Sequence, residues 1–547
     1  MHNEPSHILC FRKGRYEVKF TAADYLVGLL ANIGVRRIYG VAGTAIFPLL
    51  DAISRQPNLT FVAATNELSA GYMALTEARL TGGLGVCTAT SGPGAAGLAS
   101  PVADAYFDAQ PLLAITGQVK VAQVATGTSQ YFAQQSFYQS ITGLSEQVFS
   151  GSALREVLTR AIGTALTERT AVHLGIPGDV FAQAVEAGLP ELTWQPLENR
   201  SGDIQATADQ IRSFRRPLIL LGSEAASTTG DWLHLAEKLG AVLVVAQAAK
   251  GLVGGDHYLN IGGIGESYLP SVVSKADGII MIGSAPYEKP FLPRVPTVQI
   301  ATKTGNLDWS LPLVAPLTGN FTYLAKKLME IVPRQNTDST WVAEIAESRK
   351  ELQRQLTAEA KHSEEPIHPS KLMSALSLHI AEDAIIALDI GAFIHWFDKS
   401  FWAKKQTVLL SNYWRGIGAG LPAAIAAKMA DQVRQVVAIV GDGGLLLNSG
   451  ELATLSRYNL AVVVIVVNNG SYDLERQKMQ QKGASLVGTD LPQVDFNHLA
   501  AAYQLAYRAV SNVGELDSAL TEALAATEPI LVNVYCSSPE LVDLVVL

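Results

Sequence analysis

Residues 436–472 read VVAIVGDGGLLLNSGELATLSRYNLAVVVIVVNNGSY, and the order of residue types in them predicts one supersecondary unit. An apolar run at 436–440 breaks into a glycine-rich turn, and a segment with helical spacing follows. A second run, rich in β-branched residues, spans 461–467 and ends in Asn468-Asn469. Continuous apolar runs separated by a helix are typical of a βαβ unit with parallel strands buried on both faces.

Polar side chains follow both predicted strands. Asp442 lies in a Gly-Asp-Gly-Gly turn, where backbone N–H groups can approach an anion while the carboxylate stays free for a hard cation. Asn469 leaves the neighbouring strand 27 positions later (469 − 442). Because the ends of parallel strands meet at one sheet edge, these side chains and the carbonyl of Ser471 can hold Mg2+, completed by phosphate oxygens and water. A structural turn is the plainer alternative.

Composition limits the class of protein. A chain of 547 residues is too long for one hydrophobic core and predicts about three domains. The net charge of −9 comes without long blocks of one sign, so neither nucleic-acid nor acidic-membrane binding is expected. Three widely spaced cysteines argue against a disulfide framework, and the first residues lack the apolar core of a signal peptide. We therefore expect a cytoplasmic protein.

The 436–472 motif resembles the diphosphate-binding motif of thiamine-diphosphate (ThDP) dependent enzymes, in which the aspartate, the second asparagine and a carbonyl two residues on bind the metal. Other stretches resemble the acetolactate synthase, pyruvate oxidase and pyruvate decarboxylase superfamily; they are YGVAGTAIFPLLDAI (39–53), ATNELSAGYMALTEARLTGGLGVCTATSGPGAAGL (64–98), ADAYFDAQPLLAITGQV (103–119), VHLGIPGDV (172–180) and KGLVGGDHYLNIGGIG (250–265). The resemblance implies an α/β protein with three doubly wound parallel-sheet domains. These are a pyrimidine-binding domain (16–182), a middle domain (203–333) and a diphosphate-binding domain (366–547).

The resemblance also implies the roles of two residues outside the metal motif. Glu67 matches the glutamate that hydrogen-bonds the aminopyrimidine ring and helps to remove the thiazolium C2 proton; from its position alone it is a helix-start acid favoured by the helix dipole. Ile417 matches the apolar residue that forces the two cofactor rings into a V. The full set implied to contact ThDP is Glu67, Gly391, Ala392, Gly416, Ile417, Gly441, Asp442, Gly443, Gly444, Asn469, Ser471 and Tyr472.

Three further residues bear on the substrate. Glu475 lies six positions after Asn469, where 2-oxo acid decarboxylases carry a proton-donating glutamate, and we assign it to protons or to the acceptor. Gln134 matches the substrate-side glutamine of acetolactate synthases, with a solvated loop amide as the alternative. Arg415 meets either a substrate carboxylate or an acid at an interface.

The chain mixes features of both branches, since the paired histidines of decarboxylases and the Gln-Trp-Gln pattern of acetolactate synthases are absent. We expect a ThDP- and Mg2+-dependent 2-oxo acid decarboxylase and carboligase that joins a pyruvate-derived acyl unit to a second carbonyl compound. A simple decarboxylase that releases an aldehyde is one alternative, and a non-catalytic ThDP-binding regulatory subunit is another.

Two further expectations concern cofactor binding by the middle domain and the assembly of subunits. In this family the middle domain binds FAD in some members, but Ser284-Ala285-Pro286 departs from the usual arginine-containing turn and the residues after Ile300 lack the usual acids. A structural middle domain without FAD is therefore favoured. The resemblance implies a homodimer or homotetramer in which Glu67 of one chain and Asp442 of its partner face one cofactor.

Overall fold

The computed structural model describes residues 20–186, 188–189, 201–334 and 338–541. The outermost parts of the predicted domains, 16–19 and 542–547, lie outside the described residues, as does most of the segment 183–202 between the first two predicted domains. Within the described ranges every pairing between named strands is parallel, and the strands form three sheets. This confirms the predicted fold class of three parallel-sheet α/β domains.

The first domain contains six strands and the helices that connect them. The strands are β1 Arg37–Gly40, β2 Thr60–Ala63, β3 Gly85–Ala89, β4 Leu112–Gln118, β5 Leu144–Gln147 and β6 Ala171–Pro177. The helices are α1 Ala22–Asn32, α2 Phe47–Ser54, α3 Glu67–Thr81, α4 Pro93–Gly97, α5 Ala99–Phe107, α6 Gln134–Tyr138, α7 Gly151–Glu168 and α8 Gly178–Phe181.

The middle domain is smaller, and a long helix joins it to the third domain. Its strands are β7 Pro217–Leu221, β8 Val242–Val245, β9 Gly278–Ile282, β10 Thr297–Ala301 and β11 Leu317–Thr318. Its helices are α9 Ile204–Ser213, α10 Thr229–Leu239 and α11 Phe321–Ile331, and the connecting helix is α12 Ser339–Glu359.

The third domain repeats the strand number of the first. Its strands are β12 Ile385–Leu388, β13 Thr407–Leu409, β14 Val436–Gly441, β15 Val462–Asn468, β16 Ala506–Val510 and β17 Ile530–Tyr535. Its helices are α13 Pro369–His379, α14 Phe393–Ser400, α15 Gly420–Ala430, α16 Asp442–Leu447, α17 Leu452–Arg457, α18 Asp473–Gln481, α19 Phe496–Ala502 and α20 Val513–Leu524. The predicted βαβ unit is present as β14, α16 with α17, and β15.

Strand order relates the domains and locates a ligand crevice. The first sheet has the order β2-β1-β3-β4-β6-β5 and the third has β13-β12-β14-β15-β17-β16, which is the same order counted within each domain. The middle sheet, β11-β10-β9-β7-β8, repeats most of it. In the third sheet the order reverses between β12 and β14. Ligands of doubly wound sheets bind beyond the carboxyl ends of the strands at such a reversal, so the fold itself points to the ends of β12 and β14.

One hydrophobic core joins the first and third domains. Both faces of the third sheet are covered by helices, so successive residues of β14 enter different cores. Val437 and Ile439 pack with α13, α14 and α20, whereas Ala438 packs with α15 and with Tyr72 and Leu75 of α3. Helix α3, which begins at the predicted catalytic glutamate, is therefore fixed against the third domain of the same chain. No helix of the described ranges has the length and apolarity needed to cross a membrane.

Candidate active site

Asp442 and Asn469 lie at the ends of adjacent strands, as predicted. Strands β14 and β15 pair in parallel, with Gly441 opposite Val467. The Asp442 Oδ1 atom accepts a hydrogen bond from Gly443 N–H at 3.0 Å, and Oδ2 accepts one from Gly470 N–H at 2.7 Å. The turn that follows Asn469 thus contacts the Asp442 carboxylate where the two strands end.

The donor set fits a hard divalent cation. Carboxylate, amide and carbonyl oxygens are the ligands that Mg2+ prefers, together with phosphate and water. Asp442 is buried, and no ion pair joins it to a basic side chain of the described residues. Burial therefore raises the pKa of the Asp442 carboxyl to about 6, because the charged form lacks a compensating partner. A bound cation would supply that partner.

Close packing explains the glycines of the motif. A Cβ built on Gly443 would lie 2.5 Å from Cε1 of Tyr472, and one on Gly444 would lie 2.1 Å from Oδ2 of Asp389. Any side chain at these two positions would collide with the crevice wall. The backbone N–H groups of the turn consequently remain accessible to a diphosphate.

Ile417 lies beside this motif. Its Cγ1 atom would be 3.6 Å from a Cβ built on Gly444, and its side chain is partly exposed. The preceding residue, Gly416, packs so closely on Tyr72 that a Cβ there would lie 2.0 Å from the tyrosine hydroxyl oxygen. The structure thus brings the predicted ring-shaping residue to the predicted diphosphate turn.

Asp389 ends β12 at the same crevice and was not singled out from the sequence. Its Oδ1 atom accepts hydrogen bonds from Ile390 N–H and Gly418 N–H, each at 2.8 Å. The Oδ2 atom is buried and has no hydrogen-bond partner among the described residues, and burial raises the pKa of Asp389 to about 7. Its neighbours in sequence, Gly391 and Ala392, begin the turn into α14, which is where the resemblance places the diphosphate.

Glu67 occupies the first turn of α3. Asn66 caps this helix by accepting a hydrogen bond from Ser69 N–H at 2.8 Å. The Glu67 side chain is partly buried against the short helix α4. A Cβ built on Gly94 would lie 2.9 Å from Glu67 Oε1, and one on Gly97 would lie 3.1 Å from Glu67 Cβ. Small residues are thus required where α4 passes the carboxylate.

Two side-chain contacts join the start of α3 to the third domain of the same chain. Asn66 Nδ2 donates to Asn448 Oδ1 at 3.3 Å, and Asn448 Nδ2 donates to Gly418 O at 2.7 Å. Thr65 N–H donates to Glu451 Oε1 at 2.9 Å. Sequence analysis missed Asn448 and Glu451, because no local pattern distinguishes them from ordinary residues of a helix.

Glu475 and Gln134 have different surroundings from those expected. Glu475 lies on the outer face of α18, where its side chain is 62% exposed and its Oε1 accepts from Lys478 Nζ at 3.3 Å. Gln134 is buried, its Oε1 accepts from the Thr116 hydroxyl at 2.8 Å and its Nε2 donates to Gly117 O at 2.9 Å. The alternative of a solvated loop amide is therefore wrong for Gln134. The substrate roles of both residues stay predictions.

Arg415 contacts the middle domain. Its Nη1 donates to Gln247 Oε1 at 2.9 Å, and its guanidinium carbon lies 4.5 Å from the ring centroid of Tyr287. The backbone φ of Arg415 is 56°, in the left-handed region that ordinary L-residues rarely adopt. Arg415 was expected to meet either a substrate carboxylate or an acid at an interface. The structure favours an interface between domains, although the side chain that Arg415 contacts there is an amide rather than an acid.

The end of the middle sheet carries an internal carboxylate. Glu224 follows β7, and its Oε2 accepts from Ser284 N–H at 2.9 Å after β9. A Cβ built on Gly283 would lie 2.2 Å from this Oε2 atom. The carboxylate thus lies at the reversal between β7 and β9, where a dinucleotide would place its pyrophosphate, and two negative groups repel each other there.

Comparison with known proteins agrees with this geometry. The families described as thiamine pyrophosphate enzyme N-terminal TPP binding domain, central domain and C-terminal TPP binding domain match residues 20–140, 204–328 and 389–534, respectively. The chain belongs to the thiamine-diphosphate-dependent enzymes of the acetolactate synthase, pyruvate oxidase and pyruvate decarboxylase superfamily. It is an enzyme that acts on 2-oxo acids.

Individual relatives align over nearly the whole chain. A putative thiamine pyrophosphate-containing protein, YdaP, from Bacillus subtilis is 28% identical, with 94% of this chain and 91% of the relative covered. Acetolactate synthase isozyme 1 large subunit from Escherichia coli is 26% identical, with 95% of each chain covered. A probable 2-ketoarginine decarboxylase, AruI, from Pseudomonas aeruginosa is 27% identical, with 91% and 90% covered. The relatives therefore include both a carboligase and a decarboxylase.

Proposed function

We propose that the protein is a ThDP- and Mg2+-dependent 2-oxo acid decarboxylase with carboligase activity, similar to acetolactate synthase. It would join a pyruvate-derived acyl unit to a second small carbonyl compound. The observation that carries the proposal is the convergence of Asp442 and Asn469 at the ends of β14 and β15, beside Ile417. The acetolactate synthase relative supports the choice of reaction.

The metal and the diphosphate would be held by the third domain. Asp442, Asn469 and the Ser471 carbonyl supply oxygen ligands, while backbone N–H groups of the glycine turn and of Gly391 face the anion. The Tyr472 ring packs against Gly443 and limits the space on that side of the turn. These residues bind and orient; they exchange no proton with substrate.

We assign to Glu67 the control of the proton at the aminopyrimidine ring of ThDP. When bound, ThDP supplies the carbanion chemistry that breaks the bond between the 2-oxo carbon and the carboxylate. The Glu67 carboxyl would hold a proton at the aminopyrimidine ring, and Ile417 would press the two rings together so that the amino group reaches C2. By holding the proton and the ring geometry in this way, Glu67 and Ile417 would give proton removal the advantage of proximity.

The surroundings of Glu475 support carboligation over aldehyde release. A proton donor for the acyl carbon has to lie over the cofactor, whereas the Glu475 side chain is 62% exposed and accepts from Lys478. Glu475 would then act on the acceptor rather than protonate the acyl carbon, and the acyl unit would react with a second carbonyl compound. Simple decarboxylation with aldehyde release remains the second candidate, supported by the 2-ketoarginine decarboxylase relative.

We further propose that the working form is a homodimer or homotetramer, with Glu67 of one chain acting on the cofactor held by its partner. The Glu67 side chain is only partly buried in a single chain, which supports a contact with a second subunit. The middle domain works without FAD, because Glu224 occupies its strand-end crevice. A cytoplasmic location and the absence of nucleic-acid and membrane partners belong to the same proposal.

Product analysis tests the proposed reaction. The protein would receive ThDP, Mg2+ and a panel of 2-oxo acids, with and without aldehyde acceptors, and the products would be identified by NMR and mass spectrometry. We expect 2-hydroxy ketones or acetohydroxy acids. Aldehyde and CO2 alone would replace carboligation with simple decarboxylation, and no turnover of any substrate would favour the regulatory-subunit alternative.

A further inference from the structure

We propose that Asp108 is a positioning residue for the cofactor: it fixes the loop 411–418, and through it Ile417, from the opposite domain. This inference rests on the proposed function, because it gives Ile417 a task only if ThDP binds. Asp108 directly follows α5 of the first domain, whereas the loop belongs to the third, and 304 positions separate Asp108 from Asn412.

The carboxylate of Asp108 accepts two successive backbone N–H groups of the loop. Oδ1 accepts from Tyr413 N–H at 2.8 Å and Oδ2 from Asn412 N–H at 3.2 Å. The side chain is only 7% exposed, and Arg79 donates to it as well as to Asp104, where the distance is 2.9 Å. A buried carboxylate with a paired guanidinium makes strong, charge-assisted hydrogen bonds, so the loop backbone is held firmly here.

Aromatic contacts reinforce the same attachment. The Phe107 ring stacks on Trp414 with centroids 5.3 Å apart and an interplanar angle of 11°, and on Tyr413 at 6.0 Å. Trp414 Nε1 also donates to Ser100 Oγ at 2.9 Å. Helix α5 and its following residue therefore hold three consecutive loop residues by both backbone and side chain.

The other end of the loop is fixed by the third domain. Gly418 N–H donates to Asp389 Oδ1 at 2.8 Å, and Gly418 O accepts from Asn448 Nδ2 at 2.7 Å. Between the two fixed ends lies Arg415 with its φ of 56°. Such a conformation is strained for a residue other than glycine and persists only where surrounding contacts determine it. The loop is thus held in one shape from two domains.

The position of Ile417 depends on both attachments, because this residue lies between the fixed ends of the loop and beside Gly444. Losing the Asp108 attachment would let Ile417 move relative to the diphosphate turn, while the residues that bind metal and diphosphate stay where they are. A displacement of about 1 Å at a reacting group can cost about a hundredfold in rate. A partial loss of positioning should therefore slow proton removal at C2 without equally weakening cofactor binding.

The test compares Asp108→Asn with the wild-type protein at saturating ThDP and Mg2+. The substitution keeps the side-chain shape but removes the charge and one of the two acceptors. We measure deuterium exchange at the C2 position of ThDP by NMR after acid quench, and the ThDP dissociation constant by calorimetry. We expect exchange about tenfold slower with the dissociation constant changed less than about threefold. Asp51→Asn, at an exposed carboxylate paired with Arg55, is the charge-matched control and should exchange at the wild-type rate.

A double-mutant cycle separates positioning from general damage. If Asp108 acts through Ile417, Asp108→Asn should add little to Ile417→Ala, since the side chain to be positioned is already gone. Fully additive effects, or wild-type exchange in Asp108→Asn, would overturn the inference. If Asp108→Asn does not fold, Trp414→Phe takes its place, with about threefold slower exchange expected and the wild-type rate contradicting it. A wild-type protein that does not accelerate exchange would overturn the proposed function itself.

Discussion

Asp442 Oδ2 accepts a hydrogen bond from the backbone N–H of Gly470 at 2.7 Å, which joins the ends of β14 and β15. The two residues are 28 positions apart, and the pairing of parallel strands brings them together. The buried carboxylate accepts from backbone donors, but it has no basic partner in the part of the chain that the structure describes. A bound divalent cation would supply the missing positive charge beside this carboxylate.

Asp442→Asn should lose most cofactor affinity. The amide keeps the side-chain shape but removes the charge that would neutralise Mg2+, so we expect the ThDP dissociation constant, measured by calorimetry with Mg2+, to rise at least about a hundredfold. Asp517→Asn, at an exposed carboxylate near His379, is the control and should bind normally. Unchanged affinity in Asp442→Asn would contradict the metal assignment.

Ile417→Ala should separate binding from activation. The diphosphate and metal ligands are untouched, so the ThDP dissociation constant should change little, while C2 exchange should slow by about tenfold or more because the rings lose their enforced V. Ile417→Leu, which keeps an apolar side chain of similar volume, should restore much of the rate. Equal rates in Ile417→Ala and wild type would remove the ring-shaping role.

The middle domain should not retain FAD. Protein incubated with excess FAD and separated by gel filtration should show no flavin absorbance near 450 nm, because the Glu224 carboxylate lies where a pyrophosphate would bind. Glu224→Gln is the informative variant: if charge repulsion is the obstacle, weak binding should appear in it. Stoichiometric flavin in the wild-type protein would show that the crevice rearranges.

His173 should make the first domain sensitive to acid. The ring is fully buried between the hydroxyls of Thr116 and Ser145, and burial lowers the pKa of His173 to about 3. The unfolded state, with a histidine pKa of about 6.5, binds a proton first as pH falls, so this stability is complete above pH ~6.5 and declines between ~6.5 and ~3.

The size of this effect follows from proton linkage. From pH 7.5 to 5.5 the wild-type free energy of unfolding should fall by about 1.4 kcal/mol more than that of His173→Gln. Urea unfolding at the two pH values measures the difference, and the other titrating groups cancel because both proteins share them. Identical pH dependence in the two proteins would show that His173 is not held neutral.

Much of the third domain could be predicted from sequence because its strands are continuous apolar runs. The predicted run 436–440 corresponds to β14 and the run 461–467 to β15, each within one residue at its ends. Parallel pairing then brings Asp442 and Asn469 to one edge without further information. The start of α3 could be predicted equally well, because Asn66 is a good helix cap and residues with helical apolar spacing follow it directly.

Contacts between domains could not be predicted in this way. Asp108 meets Asn412 across 304 positions, and Asn66 meets Asn448 across 382, and no periodicity relates such residues. The orientation of Glu475 could not be predicted for a different reason. Helix α18 buries Asp473 and Gln477, one turn apart, and this helical phase turns Glu475 outward. A polar helix gives little apolar signal from which its buried face could be inferred.

The middle domain shows how one side chain can alter the use of a fold. Its strand order is that of a nucleotide-binding sheet, and the sequence alone indicated only that the expected arginine and acids were missing. The position of Glu224 across two strand ends supplies a physical reason, since a carboxylate there opposes a second anion. That reason depends on the contact with Ser284, 60 positions away, which sequence spacing does not reveal.

Deuterium exchange at C2 of bound ThDP, measured in the wild-type protein and in Glu67→Gln, tests the central claim most directly. With Mg2+ present, the wild-type protein should exchange the proton orders of magnitude faster than free ThDP. Glu67→Gln should bind ThDP with only modestly reduced affinity yet exchange at close to the free rate, because the amide cannot hold the proton that Glu67 supplies. Glu515→Gln, at a matched asparagine-capped helix start, is the control. Fast exchange in Glu67→Gln, or slow exchange in the wild type, would contradict the account.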